Sequence, residues 1–275
     1  MTIEKVMAKD IITIHKDQTV SDALKLMSKH KISRLVAISP KNGELVGIIT
    51  EKDMAIKIAS AKYENVPLSH MRISTIMTPD VITAKTSDSK VKVLKTMVDK
   101  HIGGIPILDD EDNVVGMVTK TDFLNDMDAE QYKETPIKEI MTNRVVTVGP
   151  DERLVHARRL MIDNDISRLV VVSSGLIMGV ITSKDVARTV IDFKKRVPEK
   201  YQHSQIRNLF VQEVMSQTIE TTTKDATIAD VAEIMVTNEF SGMPVSDDKN
   251  KVQGIVSKTD ILKYVYDHNR KRGNY

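Results

Sequence analysis

A hydroxyl followed three residues later by a carboxylate recurs four times in this chain: Thr50 and Asp53 in GIITEKD, Thr119 and Asp122 in GMVTKTD, Thr182 and Asp185 in GVITSKD, Ser257 and Asp260 in GIVSKTD. Each pair sits where a strand-like apolar run gives way to a helical pattern, which places both side chains at the mouth of a helix. Two chemistries suit them there. The hydroxyl and carboxylate can cap free helix amides, the carboxylate being favoured by the helix dipole. Alternatively, the two carboxylate oxygens can accept from the 2′ and 3′ hydroxyls of a ribose, beside amides suited to a phosphate or a polar base edge. A reciprocal cap prefers Glu or Gln, so the shorter Asp of every copy is expected to leave its carboxylate freer to face outward. The glycine opening each copy, Gly47, Gly116, Gly179 and Gly254, admits close approach of another backbone or a ligand.

The elements that must position these pairs are themselves repeated, and a repeat sets the whole fold. Upstream of each copy stands a methionine, Met7, Met77, Met141 and Met215; six residues on comes Thr13, Thr83, Thr147 and Thr221, and twenty residues on Met27, Met97, Met161 and Met235. Methionine in such a register reads as core filling. In the first repeat, Ile11 to Ile14 is expected as a short strand, with Thr19 and Ser21 as candidate caps for a helix whose Val20, Ala23, Leu24 and Met27 form one apolar stripe. Arg34 to Ile38 and Leu45 to Thr50 read as a hairpin turned at Pro40 to Gly43, and a last helix from Glu51 is expected to bury Met54, Ile56 and Ile58. The fold class is therefore α/β, with each repeat strand, helix, strand, strand, helix. Odd repeats carry KISRLV and DISRLV before the second strand, even ones HIGGIP and EFSGMP, which suggests a duplicated two-repeat module with its boundary near residues 124 to 136. The expected division is module 1 at 1–130, with repeats 1–66 and 67–130; module 2 at 136–270, with repeats 136–200 and 205–270; and a basic tail at 271–275.

Composition narrows the function classes. With 275 residues, 41% hydrophobic and 28% charged, the chain is long enough for real hydrophobic cores. It has no apolar run near the ~18 residues of a membrane span, and MTIEKVMAKD lacks the basic-then-apolar order of a signal peptide, so a cytoplasmic location is expected. Zero cysteines exclude disulfides, thiolate metal sites and cysteine nucleophiles. A net charge of +2 and the absence of Trp argue against a general nucleic-acid coat or a base-stacking platform. The seven histidines make no paired metal-ligand spacing, and no nucleophile elbow, P-loop or dinucleotide fingerprint occurs, so no catalysis and no catalytic cofactor or metal are expected.

On the fourfold G-x-x-[TS]-x-x-D close, the SRL or GxP turn before it and the M-T-P or M-A-K turn that heads the repeats, the chain resembles tandem CBS-domain proteins. Chains of four such motifs include the gamma subunit of AMP-activated protein kinase and stand-alone archaeal proteins. The resemblance implies four βαββα repeats packed as two pseudo-twofold Bateman modules, each with two clefts. It implies that Asp122 and Thr119 join Ile12, Ser33 and Arg34; that Asp53 and Thr50 join Ile82, Gly103 and Gly104; that Asp260 and Ser257 join Val146, Ser167 and Arg168; and that Asp185 and Thr182 join Ile219, Ser241 and Gly242. In this scheme the aspartates hold ribose, the hydroxyls lie near ribose or phosphate, Ser33, Arg34, Ser167 and Arg168 face phosphate, and Ile12, Ile82 and Val146 line adenine. Glu220 takes the position of these apolar residues in the fourth repeat, which disfavours a base there.

Only the clefts closed by Asp122 and Asp260 gain an arginine, the residue suited to forked phosphate contacts, so those two are expected to prefer AMP, ADP or, with Mg²⁺, ATP. The glycine-bearing pair is expected to be weaker, empty or open to a less charged adenosyl ligand. Lys52, Lys120, Lys184 and Lys258, inside the closing motifs, could supply the charge instead. The implied role is a regulatory sensor of adenine nucleotides whose output lies with an effector protein, with pairing into a homodimer through the modules; S-adenosylmethionine, NAD and cyclic dinucleotides remain alternative ligands. A rival reading is docking of nucleic acid or an acidic protein surface by the basic insert of Lys194, Lys195, Arg196, Lys200 and Arg207 and by the tail Arg270, Lys271 and Arg272.

Overall fold

The computed structural model describes residues 1–58, 66–68, 70–197, 206 and 208–272. In the first repeat, β1 (Thr13–His15) leads through α1 (Val20–His30) to β2 (Arg34–Ile38), β3 (Leu45–Thr50) and α2 (Glu51–Ile58). A four-residue turn of helix, α3 (Ile73–Ile76), precedes the second repeat: β4 (Ala84–Lys85), α4 (Lys90–Asp99), β5 (Gly104–Leu108), β6 (Val114–Thr119) and α5 (Lys120–Asn125). The third is β7 (Thr147–Val148), α6 (Leu154–Asp163), β8 (Arg168–Ser173), β9 (Leu176–Thr182) and α7 (Ser183–Arg196). The fourth is α8 (Ile228–Thr237), β10 (Gly242–Ser246), β11 (Val252–Ser257) and α9 (Lys258–Lys271).

The first three repeats each build a three-stranded sheet whose first two strands are parallel, joined by a helical crossover, and whose last two form an antiparallel hairpin. The expected first strand at Ile11 to Ile14 lies instead at Thr13–His15. In the fourth repeat it shrinks to one bridge, Thr222 to Val245. Thr222 donates to the carbonyl of Pro244 and accepts from Ser246, but Pro244 has no N–H with which to extend the ladder towards Glu220. Pro106 stops β4 at Ala84 for the same reason. The helix stripe is as expected, with Val20, Ala23, Leu24 and Met27 all buried, and Met97, Met161 and Met235 fill the same place in the other repeats. In α2 it is Ala55, not Ile56, that is fully buried beside Met54 and Ile58.

Two compact units result. One comprises Met1–Ile11, Ile82–Val145 and Glu220–Tyr275, the other Ile12–Val81 and Val146–Ile219. The second unit has a core shared by the first and third repeats, with α2 packed on α7; the first unit has a core shared by the second and fourth. The expected modules follow chain order, whereas each hydrophobic core is built from alternate repeats.

The short segment heading each repeat lies on the body of its neighbour in sequence. Ala8 exchanges two backbone hydrogen bonds with Met117, both at 2.9 Å, and Thr78 does the same with Ile48 at 2.8 and 2.9 Å. Thr142 pairs likewise with Ile255, and Ser216 with Val180. A second bridge anchors each head upstream, Thr2 to Ser89, Arg72 to Thr19, Pro136 to Thr227 and Phe210 to Arg153. The head methionines Met7, Met77, Met141 and Met215 lie over Gly116, Gly47, Gly254 and Gly179, where any β-carbon would stand 3.0 Å or less from the methionine sulfur. The glycines are therefore required by a neighbouring backbone, one of the two approaches open from the sequence.

Candidate functional site

Each closing pair sits at a strand-to-helix junction, and the pairs build the same local structure. The Thr50 hydroxyl donates to Asp53 Oδ2 at 2.6 Å, the Thr50 N–H donates to the same oxygen at 2.9 Å, and the Asp53 N–H donates back to the hydroxyl at 3.1 Å. Thr182 with Asp185 and Ser257 with Asp260 repeat all three bonds. Thr119 donates to Asp122 Oδ2 through both N–H and hydroxyl at 2.7 Å. Asp therefore closes the reciprocal cap fully, contrary to the expectation that its short side chain would leave it free. The same box also starts α1 with Thr19 and Asp22 and α8 with Thr227 and Asp230. Helix capping alone accounts for Oδ2.

Oδ1 differs. With two donors already on Oδ2, a ribose can find lone pairs only on Oδ1. Among the described residues no donor reaches Oδ1 of Asp122, Asp185 or Asp260, whereas Oδ1 of Asp53 receives the Thr78 hydroxyl at 3.4 Å. All four aspartates are half-buried.

The turn ahead of each hairpin is tied to the helix start of its own repeat by one backbone bond. Glu51 N–H donates to Ser33 O, Lys120 to Gly103 O, Ser183 to Ser167 O and Lys258 to Ser241 O. In the hairpin registers Arg34 faces Thr50 and Arg168 faces Thr182. The structure thus gathers Ser33, Arg34, Thr50 and Asp53 at one place in the second unit, and Ser167, Arg168, Thr182 and Asp185 at another. Thr119, Asp122, Ser257 and Asp260 belong to the first unit with Gly103, Gly104, Ser241 and Gly242. Both arginines are half-buried, so they are not freely solvated. Ile12 and Val146 are half-buried, Ile82 is 39% exposed and Glu220 is exposed.

Sequence reasoning missed the role of the residue after the hydroxyl. In the first unit Lys120 donates to the Thr259 hydroxyl at 2.6 Å and Lys258, buried, donates to the Thr121 hydroxyl at 2.8 Å, a reciprocal exchange between the second and fourth repeats. In the second unit Lys52 pairs with Asp165 at 2.8 Å, and the buried Glu51 lies 3.7 Å from Lys184. Burial pushes the Glu51 carboxyl up from its ordinary range, against the pull of Lys184 and Arg188 and with the help of Asp185. Folding therefore binds a proton at Glu51 over part of the acid range, and stability falls as pH rises through the folded-state value. Glu51→Gln is expected to flatten the fall in melting temperature between the ordinary carboxylate range and neutrality, and to match or exceed the parent at pH 8. Thermal melts across pH check this, and a lower melting temperature at pH 8 would show the ion pair outweighing burial.

Of the basic insert, Lys194 to Arg196 close α7, and Lys194 donates to Val66 O at 3.1 Å; Lys200 and Arg207 lie outside the described residues. Arg270 and Lys271 end α9 and Arg272 caps it, and residues 273–275 lie outside the described residues. Among the described residues no helix is long and apolar enough to cross a membrane, and no group of acids and histidines is placed to hold a metal.

The CBS domain family model matches residues 3–60, 73–128, 137–192 and 211–267. Over 267 residues the chain is 30% identical to the uncharacterized protein MJ1225 of Methanocaldococcus jannaschii, covering 93% of this chain and 95% of that one. The crystal structure of MJ1225, a protein proposed as an archaeal homologue of g-AMPK, superposes with a TM-score of 0.83 over 96% of this chain and 100% of its own, at 28% identity. An uncharacterized protein from Pyrococcus horikoshii shares the fold, with a TM-score of 0.63 and 21% identity over 96% of this chain and 100% of that one. The CBS domain pair of protein MJ0100, solved with 5′-methylthioadenosine and S-adenosyl-L-methionine, is 33% identical and covers 46% of this chain and 94% of its own, with a TM-score of 0.40. The four matched segments coincide with the four mixed α/β repeats and their closing Thr or Ser and Asp, and the chain belongs to the CBS-domain family, as four CBS domains in tandem.

Proposed function

We propose that the chain is a regulatory sensor of adenine nucleotides, taking up AMP, ADP or ATP and passing the bound state to an effector protein. The reading rests on one observation, the carboxylate at each closing motif whose Oδ2 is locked in a cap while Oδ1 is presented in a fixed direction. A pre-set acceptor costs little to organise when a ribose diol arrives, and a hydrogen bond to a charged group is worth ~1.5 to 3 kcal/mol. In this reading Asp53, Asp122, Asp185 and Asp260 hold ribose, with the hydroxyls of Thr50, Thr119, Thr182 and Ser257 fixing their orientation. Ser33, Arg34, Ser167 and Arg168 face phosphate, and Ile12, Ile82 and Val146 face adenine. Membership of the CBS-domain family supports the adenosyl class of ligand, and the likeness to MJ1225 supports a four-domain sensor.

A ligand can bias such a protein only by its differential affinity for two conformations, typically ~1 to 3 kcal/mol of coupling. The test is to denature the purified protein, identify any released small molecule by mass spectrometry, and titrate AMP, ADP and ATP into stripped protein by calorimetry. An adenine nucleotide with about two tight sites per chain is the expected result. No released molecule and no heat with any adenosyl ligand would overturn the reading.

A further inference from the structure

The four heads present three residue types at one structural position. The residue after each head methionine is Ala8, Thr78, Thr142 or Ser216, and each makes the same pair of backbone bonds to the strand that ends in Thr119, Thr50, Ser257 or Thr182. Geometry around Asp122 and Asp53 is therefore alike in backbone and unlike in side chain. Beside Asp122 the head offers a methyl group. Beside Asp53 it offers a hydroxyl that donates to Oδ1 at 3.4 Å. Ser216 turns its hydroxyl away, onto Thr218 O at 3.2 Å, and among the described residues the Thr142 hydroxyl does not reach Oδ1 of Asp260.

The Asp53 arrangement is held by more than that one bond. Lys57, on α2, donates to Ile76 O at 2.8 Å and to Met77 O at 3.1 Å, fixing the two residues that precede Thr78. The equivalent positions in the other repeats are Asp126, Thr189 and Tyr264, of which only Lys57 is a cation able to grip carbonyl oxygens. Thr78 is thus pinned from both sides, by Lys57 before it and by its own pairing to Ile48, with its hydroxyl against the one ribose-facing oxygen that the cap leaves open.

We propose that Thr78, pinned by Lys57, is an internal occupant of the Asp53 site, which an adenosyl ligand must displace to reach Oδ1. The proposal rests on the sensor reading above. A bound ribose must displace the Thr78 hydroxyl from Oδ1 at Asp53 and nothing equivalent at Asp122, so Asp122 is the stronger acceptor. The difference comes from the chain itself, in addition to any effect of Arg34 or Arg168.

The test is a reciprocal exchange, Thr78→Ala and Ala8→Thr, each titrated with AMP by calorimetry, alone and with Asp53→Ala or Asp122→Ala to assign the sites. Thr78→Ala is expected to tighten the component that Asp53→Ala removes, by about three- to tenfold, the net worth of one hydrogen bond. Ala8→Thr, which like Thr142 has no lysine to pin it, is expected to leave the component that Asp122→Ala removes unchanged. If the parent binds AMP and Thr78→Ala leaves its affinities unchanged, the internal occupant is overturned while the sensor reading stands. Weaker binding in Thr78→Ala would also overturn it, by making Thr78 a contact to the ligand. Absence of AMP binding in the parent and in both variants removes the sensor reading and this inference together.

Discussion

A Gly179→Ala protein melts about 2 to 5 °C below the parent, from an overpacking cost of about 1 to 3 kcal/mol in a chain of this size. The new β-carbon would stand 2.7 Å from the Met215 sulfur and 2.8 Å from Ser216 O. The sulfur is the end of a flexible side chain and can swing. The carbonyl cannot, because Val180 N–H donates to it at 3.1 Å and that bond is half of the bridge holding the fourth head to β9. Relief comes only by lifting the head off its strand, which exposes the apolar surface beneath Met215. Gly47→Ala is a graded control, since there the nearest backbone oxygen, Thr78 O, lies at 3.1 Å and the closest atom, at 2.5 Å, is the sulfur of Met77. The expected order of melting temperatures is parent, then Gly47→Ala, then Gly179→Ala, read by differential scanning calorimetry. Equal stability of Gly179→Ala and parent would mean that the fourth head does not lie on this strand.

Asp122→Ala separates capping from binding. Removing the carboxylate takes away the acceptor for the Thr119 N–H and hydroxyl, and loss of such a cap costs ~0.5 to 2 kcal/mol of stability. That loss is expected whether or not a ligand is ever bound. If Asp122 also holds ribose, AMP affinity at its site falls by about 10- to 100-fold, the equivalent of a hydrogen bond to a charged acceptor. Asp230→Ala is the comparison, because Asp230 makes the same box with Thr227 at the start of α8, outside the closing motifs. Calorimetry well below the melting temperature is expected to give lost stability with unchanged AMP affinity for Asp230→Ala, and both losses for Asp122→Ala. Equal AMP affinity in the two variants would reduce the Asp122 carboxylate to a cap.

Much of this architecture is legible in the sequence because it is local. Arg34–Ile38 and Leu45–Thr50 form the strands expected of them, since short apolar runs bounded by turn residues carry their own limits. The stripe of Val20, Ala23, Leu24 and Met27 is buried as its spacing requires. What depends on partners distant in sequence is not legible. The first strands of the second and fourth repeats are cut short because their length is set by whether the neighbouring strand can donate, and Pro106 and Pro244 cannot. The sharing of cores by alternate repeats leaves no mark on periodicity, for the same Leu or Met stripe would pack on either neighbour. The residues of the closing motifs are legible by type and spacing, yet their division of labour between Oδ2 and Oδ1 is a matter of angstroms. The burial of Glu51 is not legible because nothing beside it in sequence reveals that α7 packs on α2.

The exchange of heads also has a consequence in time. Met7 leaves the ribosome more than a hundred residues ahead of Gly116, the glycine on which it rests. At a synthesis rate of ~5 to 20 residues per second the wait is several seconds, long compared with the folding of a small domain. The unit made of Ile12–Val81 and Val146–Ile219 has all of its parts once Ile219 has emerged, whereas the other unit still lacks Glu220–Tyr275 at that point. Ile3, fully buried in the finished protein, must therefore spend that interval exposed or in provisional company. A segment made early in the unit is among the last to reach its place.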